Sequence, residues 1–292
     1  MTKLLSAALA YFPFEETGMI SCEGITYLIF ALPYSLLKSR AGCARIDSYY
    51  TVSNRVYFLR KGLEEKLAGD GFEVLPVRLP YKGLAAACKI AVPTRCSLAA
   101  NDRFGTLFAL EAVAVKGVYA EEVDKETLLE PVPMHKSCLD CGLCEKACPT
   151  GCIKSGDIFN GCLRAKQDEP GFFASPYAAM TGDRLLGCEV CRSVCPLNSA
   201  IPRRDFTDTE ADILRLEKLY SCFSAGKKAS GIYLDILGKN YLRPKKLLAL
   251  TLNVMANSPD CSRYAAFAEE QLNNSDERVK TAAERLLKNN GR

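Results

Sequence analysis

The residues of this chain best suited to chemistry are cysteines, and their spacing is specific. The first group reads C-x2-C-x2-C-x3-C-P and runs from Cys138 to Pro149. Bacterial ferredoxins that bind cubane iron–sulfur clusters use this spacing. A second, partial copy reads C-x2-C-x3-C-P and runs from Cys188 to Pro196. Two copies of the C-x3-C-P segment predict two clusters.

Zinc sites, disulfides and simple burial are the alternatives for a chain with 15 cysteines. Zinc sites built from paired C-x2-C segments need neither a third C-x2-C step nor the trailing Cys-Pro. Disulfides belong to exported proteins, and the chain begins with only a short apolar run, Leu4 to Ala10, behind one lysine. We expect that run to form the first turns of a buried helix in a cytoplasmic protein. Iron–sulfur ligation is therefore the favoured interpretation.

In two-cluster ferredoxins the fourth cysteine of the run binds the other cluster. This crossover predicts a first 4Fe-4S cluster on Cys138, Cys141, Cys144 and Cys195, and a second on Cys148, Cys188, Cys191 and one further thiol. Cys162 and Cys152 are the candidates for the eighth ligand. We favour Cys162, because a ligand four residues after Cys148 would crowd the cube unless the chain doubles back. The other cysteines are isolated and are expected to be small buried residues.

Around the cysteines, the chain divides by pattern into elements that must position them. The first 130 residues alternate short apolar runs with amphipathic stretches, which indicates a mixed α/β domain. Its predicted elements are a strand over 25–32, a helix through Val56, Leu59, Leu63 and Leu67, a strand over 72–77, a helix over 84–90 and a strand over 106–115. Three strands with crossing helices would make a small sheet.

Beyond the prolines at 131 and 133 the pattern changes. The cysteine-rich segment comes first, and helical signals follow it. Those signals are a capping box at Thr207 to Glu210, a first-turn proline at Pro244, a helix start at Ser258-Pro259 and a cap at Ser275. The predicted fold class is α+β: an α/β domain over 1–130, a ferredoxin-like double-cluster module over 131–202, and an all-α HEAT-like tail over 203–292.

Charge is nearly balanced, with 38 Lys and Arg against 34 Asp and Glu. All of the basic excess follows residue 202, which leaves a weak candidate surface for nucleic-acid phosphates. Its residues are Lys227, Lys228, Arg243, Lys245 and Lys246. The alternative is an ordinary solvated helix face, since charge runs are common on surfaces. No stretch approaches 18 apolar residues, so we expect no membrane span.

The cluster segment resembles the double-cluster module of the epoxyqueuosine reductases, and reductive dehalogenases carry a related module. The motifs are C-x2-C-x2-C-x3-C-P-T-G from Cys138 to Gly151, the pair Gly161-Cys162, and the stretch from Gly182 to Asn198. Weaker similarity covers residues 29–34, residues 104–108 and the helical tail. The resemblance also favours Cys162 as the eighth ligand.

The resemblance implies a specific reaction. Electrons would pass through two 4Fe-4S clusters to a cobalamin held by the N-terminal domain, and reduced cobalt would remove the epoxide oxygen from a modified guanosine in tRNA, giving queuosine. It further implies an electron donor of the ferredoxin or flavodoxin type. The protein itself would supply orientation, potential tuning and a proton donor.

The sequence departs from the family pattern at two places. The family has an aspartate proton donor shortly before a proline, where this chain has Arg78, and arginine cannot donate that proton. A segment with glycine and tryptophan is replaced by residues 89–94, and the chain has no Trp. Asp102 is a candidate replacement acid, although aspartate in a polar turn usually serves the turn.

The single histidine, His135, lies three residues before Cys138. It is either a hydrogen-bond donor to a cluster sulfur or a plain loop residue. Three functions are consistent with these residues. They are an oxidoreductase of the epoxyqueuosine reductase type, a two-cluster electron-transfer protein that reduces a partner enzyme or corrinoid protein, and an RNA-associated module with structural clusters. The missing acid favours the electron-transfer protein. The retained α/β domain and the basic tail favour the oxidoreductase of the epoxyqueuosine reductase type, which is our preferred hypothesis.

Overall fold

A computed structural model describes residues 2–225, 231–238 and 241–291 of the chain. Its strands are Glu16–Cys22 (β1), Ile25–Pro33 (β2), Arg45–Ile46 (β3), Val74–Leu75 (β4), Val92–Pro93 (β5), Ala99–Ala100 (β6), Phe108–Lys116 (β7) and Arg184–Leu186 (β8). The first helices are Lys3–Tyr11 (α1), Tyr50–Gly69 (α2), Tyr81–Ala87 (α3), Lys125–Leu129 (α4), Leu143–Ala147 (α5), Cys152–Ser155 (α6), Ile158–Gly161 (α7) and Leu163–Lys166 (α8).

The remaining helices follow the middle of the cluster segment. They are Tyr177–Met180 (α9), Val190–Ser193 (α10), Asp208–Ile213 (α11), Leu216–Ser224 (α12), Ile232–Leu237 (α13), Pro244–Asn257 (α14), Ala265–Glu269 (α15) and Glu277–Asn290 (α16). No helix within the described ranges is both long and apolar enough to cross a bilayer.

The chain forms two compact units, each built from separate stretches. Unit 1 contains Met1–Tyr34, Val52–Cys144 and Arg192–Ile201; unit 2 contains Ser35–Thr51, Glu145–Cys191 and Pro202–Arg292. The two units do not coincide with the three consecutive domains expected from the sequence, because residues of the cluster segment belong to both units. The predicted boundary at residues 131–133 lies inside unit 1.

Unit 1 is built on a four-stranded sheet with the order β1-β2-β7-β4. β2 and β4 each pair antiparallel with β7. They therefore run parallel to each other with β7 between them, and α2 lies between them in sequence. Alternate residues of β2 and β7 face α3 and α4 and form an apolar core: Tyr27, Ile29, Ala31, Ala112, Ala114, Leu84 and Leu128.

The sequence pattern predicted the centre of this sheet and missed its edge. β2 is confirmed to within one residue of its predicted bounds, and α2 ends at Gly69 as predicted. The strand predicted over 72–77 is shorter in the structure, where β4 has only two residues. β1 was not predicted, because its sequence, ETGMISC, is only half-buried along most of its length. A tight turn joins β1 to β2 through Glu23 and Gly24, both with positive φ, the conformation favoured in two-residue hairpins.

Unit 2 is mainly helical and surrounds α14. Residues 246–256 of α14 are all buried, as expected of a central helix, and α14 packs against α12 and α16. The Thr207 capping box and the first-turn Pro244 are confirmed. The last helix is capped by Asp276 instead of Ser275. After Ser258 the chain forms a 3₁₀ turn before α15 instead of one continuous helix.

The capping box makes a stability prediction at Glu210. Its carboxylate accepts two hydrogen bonds of 2.7 Å from Arg204 and one of 2.9 Å from the Thr207 amide. Burial opposes ionisation, but these hydrogen bonds outweigh it and lower the pKa of Glu210 below its ordinary value. A lowered folded-state pKa gives stability that is present at neutral pH and lost as the pH falls below about 5.

We therefore predict that Glu210→Gln lowers the unfolding free energy at pH 7 by about 1–2 kcal/mol. The difference between variant and wild type should narrow as the pH falls below about 5. Urea unfolding followed by circular dichroism at several pH values measures both. A difference that is constant with pH would contradict the role of the ionised carboxylate.

Candidate iron–sulfur centre

The two units divide the clustered cysteines into two sets. Unit 1 holds Cys138, Cys141, Cys144 and Cys195, and unit 2 holds Cys148, Cys152, Cys162, Cys188 and Cys191. All of them are half-buried except Cys152, which is buried. The fold thus separates the thiols at the same points in sequence as the ferredoxin crossover does.

In unit 1, the two ends of the first ligand set lie close together. Cys138 ends a 3₁₀ turn, and Cys195 caps another that begins at Pro196. Burial raises the pKa of the Cys195 thiol, and the nearby thiols of Cys138 and Cys141 raise it further. Such mutual repulsion between thiolates is what a bound iron cluster would relieve.

Asn198 holds the loop that carries Cys195. Its Oδ1 accepts a hydrogen bond of 2.8 Å from the Thr106 amide, and its Nδ2 donates to the Thr106 hydroxyl at 2.9 Å and to the Arg192 carbonyl at 2.8 Å. Gly105 allows this approach, since a Cβ there would lie 2.1 Å from the Asn198 Oδ1. The turn before β7 therefore fixes the position of the last cysteine in the sequence run.

In unit 2, Cys148 receives several hydrogen bonds at the start of α6. Burial raises the pKa of Cys148, but hydrogen bonds from the side chain and amide of Thr150 and from the Ile153 amide outweigh it and lower that pKa to about 7. The Cys152 Sγ lies 3.5 Å from the Cys148 Sγ, and burial raises the pKa of Cys152 to about 11. The two thiols are therefore hydrogen-bonded to each other at the start of α6.

Cys162 lies near Cys188 in the same unit. Burial raises the pKa of Cys188 to about 11, and the neighbouring Cys162 thiol adds to this increase. Two thiolates bound to different irons of one cube are separated by the cube edge, which the close Cys148–Cys152 contact does not allow. The geometry therefore favours Cys162 over Cys152 as a ligand.

A buried carboxylate that the sequence analysis missed holds the Cys188–Cys191 loop. Glu189 is fully buried and accepts hydrogen bonds from the amide and hydroxyl of Ser48, at 2.9 Å and 2.8 Å. Arg45 lies 3.4 Å from it. These partners come from residues about 140 positions away in sequence, so no local pattern reveals them.

Within the described ranges, no three His, Cys, Asp or Glu side chains converge as a single metal ion would require. A cubane cluster places each thiolate on a different iron, so its ligands need no common point. Thiols with amide donors nearby are the donor set that iron–sulfur clusters use. The residues present fit such clusters.

His135 does not serve a cluster sulfur, so that candidate role is wrong. Its Nδ1 accepts a hydrogen bond of 3.3 Å from the Ser137 amide, and its Nε2 lies 3.2 Å from the Asp102 Oδ1. Because Nδ1 accepts, Nε2 carries the proton and donates it to Asp102. The histidine is buried and orients an exposed carboxylate.

Asp102 does not serve the turn in which it lies. Asn101 does so instead, since its Oδ1 accepts hydrogen bonds of 3.1 Å and 2.7 Å from the Arg103 and Phe104 amides. The Asp102 side chain is 77% exposed. It lines a groove of about 690 Å³ in unit 1, together with residues 132–136, which lead directly to Cys138. This volume is in the range of small-molecule sites.

The predicted basic surface is smaller than expected. Lys246 is buried and pairs with Asp168, so it is corrected to a structural residue. Arg243 and Lys245 are exposed, and the Lys245 ammonium lies 3.4 Å from the Asn274 side-chain oxygen. Lys227 and Lys228 lie outside the described residues.

Comparison with known proteins identifies the class of the cysteine segment. Residues 137–198 match the family described as a 4Fe-4S double cluster binding domain. The segment therefore belongs to the iron–sulfur proteins, in agreement with the predicted clusters.

The curated relatives include several epoxyqueuosine reductases. The chain is 36% identical to an epoxyqueuosine reductase of Bacillus subtilis over 84 residues, which covers 28% of this chain and 22% of the relative. It is 33% identical to one of Staphylococcus aureus over 148 residues, covering 48% of this chain and 39% of the relative. The resemblance inferred from the cluster motif is confirmed: the chain is related to the epoxyqueuosine reductases. These alignments span about a fifth to two fifths of the relatives' length.

Solved structures show a similar fold over more of the chain. An epoxyqueuosine reductase of Streptococcus thermophilus is similar over 91% of this chain and 73% of its own, with a TM-score of 0.65 and 18% identity. Another, solved with an epoxyqueuosine-modified tRNA stem loop, is similar over 91% of this chain and 82% of its own, with a TM-score of 0.54 and 16% identity. At these identities the likeness concerns the fold.

The contrast between Cys162 and Cys152 gives a direct prediction. Cys162→Ser should retain only about four of about eight irons per chain, because one ligand set loses a thiolate. Cys152→Ser should retain about eight, since serine keeps a hydroxyl that can donate to Cys148. Iron analysis after anaerobic reconstitution measures both variants. The reverse pattern would make Cys152 the ligand.

Proposed function

We propose that the protein is an iron–sulfur oxidoreductase that removes an epoxide oxygen from a modified nucleoside of tRNA, as the name of the epoxyqueuosine reductases describes. The observation that carries this proposal is the pair of thiol sets, one in each unit, within a segment that matches a double-cluster domain. The similarity of fold to those reductases supports it.

The proposed ligands follow the crossover: Cys138, Cys141, Cys144 and Cys195 for the first cluster, and Cys148, Cys162, Cys188 and Cys191 for the second. When bound, two 4Fe-4S clusters supply two one-electron carriers. Removal of an epoxide oxygen as water consumes two electrons and two protons. Two clusters in one chain therefore match the electron demand of the reaction.

Asp102 is the proposed proton donor, with His135 as its positioning residue. Arg78 is exposed and cannot donate a proton near neutral pH. Asp102 faces the groove, and the Nε2–H of His135 holds its carboxyl. A substrate in this groove would lie beside residues 132–136 and so beside the start of the first ligand set. The proposed acid, Asp102, and the first cluster would then lie in the same unit.

Cobalamin belongs to the proposal in a restricted form. His135 is the chain's only histidine, and both of its ring nitrogens have partners. His135 is therefore not free to bind cobalt in this structure. When bound, a corrinoid would supply electrons to the substrate. Unit 1, which contains most of the N-terminal 130 residues, is its proposed location.

A two-cluster electron-transfer protein is the second candidate. Met134, Leu139 and Leu143 are 40%, 60% and 42% exposed and alternate in sequence with the first ligand set. Exposed apolar side chains in such a group are typical of protein–protein contacts. A ferredoxin- or flavodoxin-type donor, or a protein to be reduced, would cover them. Under the first proposal, the same surface receives the electron donor.

The catalytic proposal predicts an activity that depends on Asp102. Cluster-loaded protein, with a reductant and corrinoid, should convert tRNA carrying epoxyqueuosine to a product lighter by one oxygen atom. Asp102→Asn should slow this about 10²- to 10⁴-fold, the usual contribution of a general acid. Mass spectrometry of digested tRNA measures the conversion.

Asp124→Asn is the matched control, since Asp124 is an exposed aspartate of unit 1 whose side chain makes no cap hydrogen bond. Its activity should equal that of the wild type. No conversion by wild-type protein with about eight irons would contradict the reductase proposal and favour the electron-transfer candidate.

The remaining basic surface predicts an effect on tRNA binding. Arg243→Glu and Lys245→Glu should each weaken tRNA affinity and reduce the slope of log affinity against log salt by about 1. Lys288→Glu, also exposed in unit 2, is the charge-matched control and should retain more affinity. Filter binding at several salt concentrations measures the slopes. Equal slopes in all three variants would remove this surface from tRNA recognition.

A further inference from the structure

The β5–β6 hairpin contacts the segment that leads into the first ligand set. The hairpin runs from Val92 to Ala100 and turns at Ser97, which has a positive φ of 62°. Its turn is closed by the Ser97 amide donating to the Thr94 carbonyl at 2.9 Å. The Pro93 carbonyl accepts a hydrogen bond of 2.8 Å from the His135 amide. One side of the hairpin is therefore fixed to the segment three residues before Cys138.

Arg95 fixes the hairpin to the ligand loop itself. Its Nε donates to the Cys138 carbonyl at 3.2 Å, and its Nη2 donates to the carbonyls of Cys138 and Leu139, both at 2.8 Å. The planar guanidinium can make these bonds together, whereas the point charge of a lysine cannot reproduce them. Three hydrogen bonds on two adjacent carbonyls restrict how the Cys138 thiol is presented.

The hairpin therefore contacts the chain at two points where it enters the first ligand set. One is the His135 amide, which donates to the Pro93 carbonyl. The other is the pair of carbonyls of Cys138 and Leu139, to which Arg95 donates.

Arg95 is half-buried and permanently charged. A positive charge beside a cluster stabilises the reduced state, which carries one more negative charge, and so raises the reduction potential. Hydrogen bonding and charge around the ligands are among the main ways a protein sets this potential. The carbonyl contacts hold the charge at a fixed place next to the ligand.

We propose that Arg95 is a positioning residue of the first cluster, which orients the Cys138 loop and raises the reduction potential of that cluster relative to a chain without this charge. The inference rests on the proposed first ligand set. It goes beyond that set because nothing in the cysteine motif requires an arginine on a distant hairpin.

The test is a redox titration of the cluster-loaded full chain, followed by electron paramagnetic resonance, on wild type, Arg95→Gln and Arg95→Lys. Arg95→Gln should lower the midpoint potential of one cluster and leave the other unchanged. Arg95→Lys should keep that potential near the wild-type value, because the charge remains, but should lose iron to a chelator several-fold faster than wild type. Arg55→Gln removes an exposed positive charge of unit 1 that packs over Phe12, and should change neither property.

Unchanged potentials in Arg95→Gln would overturn the proposal. If Arg95→Gln does not retain the cluster, the potential and the iron loss of Arg95→Lys test the proposal instead. Wild-type potentials with faster iron loss in the lysine variant support the proposal, whereas a lowered potential despite the retained charge overturns it. Wild-type protein with fewer than about eight irons would instead refute the proposed ligand sets, so the two failures are distinguishable.

Discussion

The proposed site depends on one constraint: each cubane cluster needs four thiolates, and in two-cluster ferredoxins the fourth cysteine of a local run serves the other cluster. This chain changes units inside the corresponding cysteine run. Cys144 is the last residue of its stretch of unit 1, and Cys148 already belongs to unit 2. The chain returns to unit 1 for Cys195 and leaves again after Ile201. The division of the sequence between the two units is thus consistent with the proposed crossover.

Short turns and small helices carry the cysteines, so long-range contacts must hold them. Asn198 binds the Thr106 turn, Glu189 is buried against Ser48, and Arg95 holds the Cys138 carbonyl. In each case one or both partners come from the sheet domain or from the segment after its second strand. A buried polar group that loses its partner costs about 1–3 kcal/mol. Hydrogen bonds from distant residues therefore help to fix the ligand loops.

The sequence predicted what depends on local spacing. Cysteine spacing identified the cluster segment, and apolar periodicity identified β2 and α2, because burial of a regular element leaves a regular pattern. The edge strand β1 left no such pattern. Contacts between distant residues were also missed, among them Glu189 with Ser48. The hydrogen bond between Asp102 and His135 was missed for the same reason, since the two residues are 33 positions apart. Lys246 was misjudged, since charge alone does not show that an ammonium is buried against Asp168.

The central claim is that this chain holds two complete sets of cluster ligands. Its most direct test is to reconstitute the protein anaerobically, count iron and sulfide per chain, and then add hydroxocobalamin and record the spectrum after desalting. The account predicts about eight irons and eight sulfides per chain, with corrinoid bands that stay with the protein. About eight irons without corrinoid would keep the clusters and remove the cobalamin. About four irons or fewer, or zinc in their place, would contradict the two ligand sets.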